Sequence, residues 1–277
     1  MGTKASRARG KVASGSAKRS APASEAPARP SIDEMSYAQR SRRPLHVLCL
    51  LLPLIVLYEI GSVLYLADPA SGTMETIRAQ RMLADFFELF GAVGLHLPAA
   101  LIVTVLLVWH VLLRDPWTIK LPTLGAMAME STAWSAPLLV LMALIAPHTD
   151  RSAIEVLAGG ELHQMPLLGR LTLAIGAGLY EELLFRMIGL ALLDLVLVDL
   201  ARLRAMPARI AGVVVVAVAF AAYHRLSGAD GSMEWRRAIS LTLAGLFFGG
   251  LYLWRGFGIA AAAHAVYDMV VLSLSSP

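Results

Sequence analysis

Along the chain, apolar residues gather in long unbroken stretches separated by short polar segments. Stretches of this kind lie at Leu45–Leu66, Val93–Leu113, Leu124–Ala146, Ile210–Tyr223, Ala238–Trp254 and Ile259–Leu274. A helix needs roughly 20 apolar residues to cross a ~30 Å hydrocarbon layer, so each reads as a membrane span. A further stretch, Leu167–Leu200, is too long for one straight crossing and reads as a tilted helix or two shorter segments. Nothing alternates at period two over ~10 residues, as the strands of a membrane β-barrel would. The predicted fold is all-α, a polytopic membrane helical bundle of seven or eight transmembrane helices.

Composition agrees: of 277 residues, 57% are hydrophobic and only 16% charged, against about 25% charged in a soluble domain. Charge then orients the bundle. Residues 1–44 hold ten Lys/Arg and three Asp/Glu, whereas the rest of the chain holds 14 and 17. From Met1 to Arg29 no aliphatic periodicity exists, so residues 1–44 are expected to be a disordered basic tail. Its last arginines, Arg40, Arg42 and Arg43, stand just before the first apolar stretch. That placement suits a cytoplasmic anchor better than a nucleic-acid-binding arm, and no nucleic-acid partner is expected. A cleavable signal peptide is disfavoured, because this stretch exceeds the ~7–15 apolar residues such a signal carries. Arg114, Lys120, Arg202, Arg204, Arg209 and Arg255 mark further cytoplasmic connections, leaving the Ala67–Gly91 and Pro147–Pro166 loops outside. The lone Cys49 excludes an intrachain disulfide and a thiolate metal site. A bias towards Ala, Leu, Val and Arg suits a GC-rich bacterium, hence a bacterial cytoplasmic membrane.

Candidate chemistry comes from residues that a bilayer disfavours. An ionisable side chain in a span costs roughly 2.5–3.5 kcal/mol, so each needs a partner or a task. In the C-terminal half they occur at helical spacing. Glu182 and Arg186 lie four apart on one face and can neutralise each other, while Glu181 points about 100° away. Phe220 precedes His224 by one turn, and His264 precedes Asp268 by one turn. A carboxylate and two imidazoles meeting in a low-dielectric cavity suit water activation, with histidine or a metal stabilising the oxyanion. Their register poses a problem. His224 lies 14 residues or so into its stretch and His264 about five, a depth difference above ~10 Å for helices running the same way.

Other polar residues get plainer readings. Glu59, Glu88 and Glu130 are expected near interfaces or satisfied by neighbouring helices, with Glu59 the one that could reach the cavity. His46, His96 and His110 read as interfacial, and His148 and His163 as solvated in an outer loop. Gly176 and Gly178 read as a close helix contact or a kink.

The three clusters, EELLFR at 181–186, FAAYH at 220–224 and HAVYD at 264–268, resemble the CPBP family of intramembrane proteases. That family, which includes the type II CAAX prenyl endopeptidases, carries E-E-x-x-x-R, F-x-x-x-H and H-x-x-x-N/D on separate spans in this order. The likeness extends over residues 165–275, a CPBP-like catalytic transmembrane core behind the N-terminal helices of 45–146. It implies an intramembrane endopeptidase in which Glu181 activates water and His224, His264 and Asp268 complete the site. Glu182, Arg186 and Phe220 would support them. Asp268 stands where the prenyl-endopeptidase branch has Asn, so the expected substrate is a membrane-anchored or lipidated protein, not specifically a prenylated one. A metal-free glutamate mechanism is favoured; the alternative is zinc held by Glu181, His224 and His264. The H-E-x-x-H of site-2-type metalloproteases and a rhomboid-type G-x-S-G are absent. Two other classes compete: a proton- or ion-coupled transporter, and a non-catalytic scaffold or immunity protein.

Overall fold

A computed structural model describes residues 1–2, 32–67, 77–94, 96–145, 165–228 and 231–274. Residues 3–31 of the expected disordered tail, nearly all of the Pro147–Pro166 loop and its His148 and His163 lie outside them; residues 32–44 of that tail are instead ordered, with Ile32, Met35 and Ser41 buried. The described residues form α1 (Tyr37–Arg40), α2 (Pro44–Gly61, continued by a π-helical turn Ser62–Leu66), α3 (Arg78–Glu88), α4 (Leu97–Leu113) and α5 (Leu121–Ile145). Then follow α6 (Leu167–Glu181), α7 (Leu190–Asp194), α8 (Ala205–Tyr223), α9 (Trp235–Arg255) and α10 (Phe257–Leu274). The only β-type pairing among them is an isolated bridge between Ser227 and Met233, so the fold is all-α.

Among the described residues, five helices are long and apolar enough to cross a membrane: Pro44–Leu66, Leu121–Ile145, Ala205–Tyr223, Trp235–Arg255 and Phe257–Leu274. The apolar α4 is shorter, at 17 residues. The long stretch of uncertain reading is one continuous helical run, Leu167–Leu200, in which π-helical turns at Glu182–Gly189 and Leu195–Leu200 flank α7. Several helices start two to five residues ahead of their apolar stretches, as α8 does at Ala205 and α5 at Leu121.

Small residues set the spacing at the centre. Helix α10 packs against α2, α5, α6 and α9, and Ile259, Ala260, Ala261, Ala263 and Ala265 are all completely buried. It runs antiparallel to α6: Arg170 Nη1 donates to the Leu272 carbonyl at 3.2 Å, while a Cβ at Gly178 would stand 2.4 Å from the Ala265 nitrogen. Gly178 thus serves close helix contact. Gly245 does the same for α9 on α8, where a Cβ would come 2.8 Å from Ala217 Cα. Between α9 and α10 the chain reverses at Gly256, whose φ of +87° suits a residue without Cβ.

One end of the bundle is held by the segment leading into α2. Glu130 of α5 accepts from Arg255 Nε and, at 2.7 Å, from Arg255 Nη2. It also accepts from the Tyr37 hydroxyl at 2.5 Å and from Trp134 Nε1 at 3.3 Å. Burial first, and then the bond to Glu130, push the Tyr37 phenol up to about 12, so it remains a donor. Arg40 Nε donates to Thr123 at 3.2 Å, and Arg43 pairs with Asp115. Glu130 is therefore satisfied by neighbouring helices. His46 and His110 are not interfacial: both are 1% exposed, in the first turn of α2 and the last turn of α4. Helix ends here are covered by protein, because the 32–43 segment and the α4–α5 connection fold over them.

Candidate active site

Helix α6 gives way to a wider π-helical turn between Glu181 and Glu182. Such turns recur at functional sites because the extra residue per turn re-aims side chains. Glu182 keeps its face with Arg186: Arg186 Nη1 lies 2.9 Å from Glu182 Oε1, and both side chains are fully buried. Arg186 is also enclosed by aromatic rings, its guanidinium carbon 4.5 Å from the Phe220 centroid and 5.7 Å from that of Phe248. Its Nη2 donates to the Gly245 carbonyl at 3.4 Å.

His264 lies between two carboxylates. Its Nδ1 donates to Glu182 Oε1 at 2.8 Å, and its Nε2 is 3.4 Å from Asp268 Oδ2, one turn along α10. The partner on Nδ1 is thus Glu182, from another helix, and not only Asp268 one turn away. Phe248 stacks on the imidazole, with centroids 4.5 Å apart and planes at 18°. Phe248 was missed from the sequence, because an aromatic ring inside the apolar Ala238–Trp254 stretch has nothing to mark it.

His224 is the C-cap of α8, in extended backbone with ψ 158°. Its Nδ1 donates to the Phe220 carbonyl at 2.8 Å, which leaves Nε2 facing the site. Phe220 and Tyr223 both pack edge-on against this imidazole, at 4.7 and 4.9 Å between centroids.

The two Nε2 atoms converge on Glu181. His224 Nε2 is 3.8 Å from Glu181 Oε1, and His264 Nε2 is 3.9 Å from Glu181 Oε2. These separations allow charge interaction but exceed a direct hydrogen bond. His224 Nε2 is buried without a hydrogen-bond partner among the described residues. The depth mismatch in the register is no barrier. One helix delivers its histidine from beyond its last turn, the other from its third turn, and both meet the same carboxylate.

Glu181, Glu182, Arg186, Phe220, His224, His264 and Asp268 are thus brought together. Glu59 does not join them: it accepts from the Tyr180 hydroxyl at 3.2 Å and pairs with His96. Among the described residues, no three His, Cys, Asp or Glu side chains are grouped so as to hold a metal ion.

No curated protein and no solved structure was found to match the chain. Residues 163–270 match the family described as Type II CAAX prenyl endopeptidase Rce1-like. That segment contains all three motifs and every residue of the cluster around Glu181. Over this segment the integral membrane protein is similar to the CPBP and CAAX protease family.

Proposed function

We propose that this CAAX-type protease cuts membrane-anchored or lipidated proteins within the bilayer, with Glu181 as the base that activates water. The observation that carries this reading is the convergence of two histidine Nε2 atoms on the two oxygens of one buried carboxylate, at 3.8 and 3.9 Å. A gap of that size suits a bridging water held by Glu181 and His224. Glu181 takes the proton as the water oxygen attacks the scissile carbonyl, and the resulting tetrahedral oxyanion is met by His264. An imidazolium there is supported by carboxylates near both ring nitrogens, Glu182 and Asp268. Glu181 then returns the proton to the leaving amine. Glu182, Arg186 and Phe220 hold the reacting groups in place, and no step passes through a metal.

The proposed topology has seven crossings: α2, α4, α5, the Leu167–Leu200 run, α8, α9 and α10, with the basic N-terminus in the cytoplasm. A bacterial cytoplasmic membrane is the proposed location. The test compares protein termini in membranes of cells carrying wild type or Glu181→Gln at matched levels. Termini near membrane anchors should vanish in the variant; identical termini would remove the protease reading and favour transport or a scaffold role.

A further inference from the structure

Helix α3 lies outside the matched segment 163–270 and carries none of its motifs, yet its first two residues grip the residue that precedes His224. Arg78 Nη1 donates to the Tyr223 carbonyl at 2.5 Å. The same guanidinium sits over the Tyr223 ring, 5.1 Å from its centroid, and the Ala79 backbone N–H meets the Tyr223 hydroxyl. Carbonyl, ring and hydroxyl of one side of Tyr223 are therefore all engaged by α3. On its other side, the Tyr223 ring packs against the His224 imidazole.

The position of this grip matters. Helix α8 ends at Tyr223, and the last carbonyls of a helix have no donor within it. A cationic side chain bonded to such a carbonyl satisfies it and suits the negative end of the helix dipole. Immediately beyond, His224 leaves helical geometry for extended backbone, so its direction depends on where Tyr223 is held. Helix α3 is itself anchored. The Tyr58 hydroxyl donates to Gln80, Ala79 and Leu83 are buried, and Ile77 packs so tightly on α6 that a Cβ at Gly176 would stand 2.4 Å from its Cδ1.

We propose that Arg78 is a positioning residue for His224: by fixing Tyr223 it sets the point at which the chain leaves α8 and so aims Nε2 at Glu181. This rests on the reading of His224 as part of the reacting group. Arg78→Ala should lower cleavage by about 10-fold or more with KM unchanged, within the ~10²-fold that a 1 Å misplacement costs.

The experiment modifies folded wild type and variants in detergent with diethyl pyrocarbonate. Carbethoxylation is read by mass spectrometry at His224 against His46, His110 and His264, with cleavage followed in parallel. Arg78→Ala should raise modification at His224 alone. Arg78→Lys, which restores a cationic donor, should return both readouts towards wild type. Arg81→Ala, which removes the same charge from the same helix, should change neither. If all four histidines become reactive, Arg78→Ala has unfolded the bundle, and Tyr223→Phe decides instead, since it loses only the Ala79 contact. Unchanged modification of His224 and unchanged cleavage in a folded variant overturn the proposal, as does a lysine variant that rescues neither. If wild type cuts nothing while His224 still responds to Arg78, the protease reading fails and the positioning stands.

Discussion

Two carboxylates at different places in the bundle, the half-buried Glu130 and the buried Glu181, receive opposite treatment. Glu130 is saturated: Arg255 grips both of its oxygens, and Tyr37 and Trp134 donate to it as well. Glu181 has two histidines facing it, each too far for a direct hydrogen bond, and one of those histidines has an unpartnered ring nitrogen. A fully paired buried charge makes structure, because every lost partner leaves a desolvated ion. An underpaired one is costly to fold and persists where a ligand or reacting group completes it. Glu182, one residue from Glu181, lies between the two: Arg186 and His264 both meet its Oε1, while its Oε2 has no hydrogen-bond partner among the described residues.

That contrast can be broken at several points. Apart from Glu181 itself, the largest effect is expected at His224→Ala, which removes a group facing Glu181. Cleavage should fall by roughly 10²–10⁴-fold, as for loss of an acid–base group, with little change in thermal unfolding. Glu182→Ala should instead destabilise the bundle by about 3–5 kcal/mol, because Arg186 is left buried without its carboxylate. Thermal unfolding in detergent would show this, and a variant as stable as wild type would place Glu182 among the reacting groups. Phe248→Leu removes the ring stacked on His264 and should cost about 1 kcal/mol of stability beyond its lost packing area. Its cleavage rate should fall while KM holds. Tyr37→Phe, at the saturated end, should cost about 1 kcal/mol and leave cleavage unchanged.

Much of this was legible in the sequence because the bilayer makes polar residues conspicuous. Glu181, Glu182, Arg186, His224, His264 and Asp268 stand out from apolar stretches, and helical spacing alone pairs Glu182 with Arg186. Spacing could not show which helices meet. The orienting role of Glu182 on His264 depends on α6 lying against α10, a contact 82 residues apart in sequence. Phe248 and Arg78 are ordinary in sequence and acquire meaning only from what they touch. His46 and His110 looked interfacial because they fall near span ends, and hydropathy does not reveal that other segments cover those ends. The π-helical turn after Glu181 has no signature in apolar periodicity, since it changes direction without changing composition.

The most direct test sets the two carboxylates against each other: Glu181→Gln and Glu130→Gln, each measured for cleavage of membrane-anchored proteins and for thermal unfolding. Glu181→Gln should abolish cleavage and leave the unfolding midpoint near wild type, whereas Glu130→Gln should lower the midpoint and spare cleavage by the folded fraction. If Glu181→Gln cuts as well as wild type, or if both variants lose stability and cleavage together, Glu181 is another structural carboxylate and not the base.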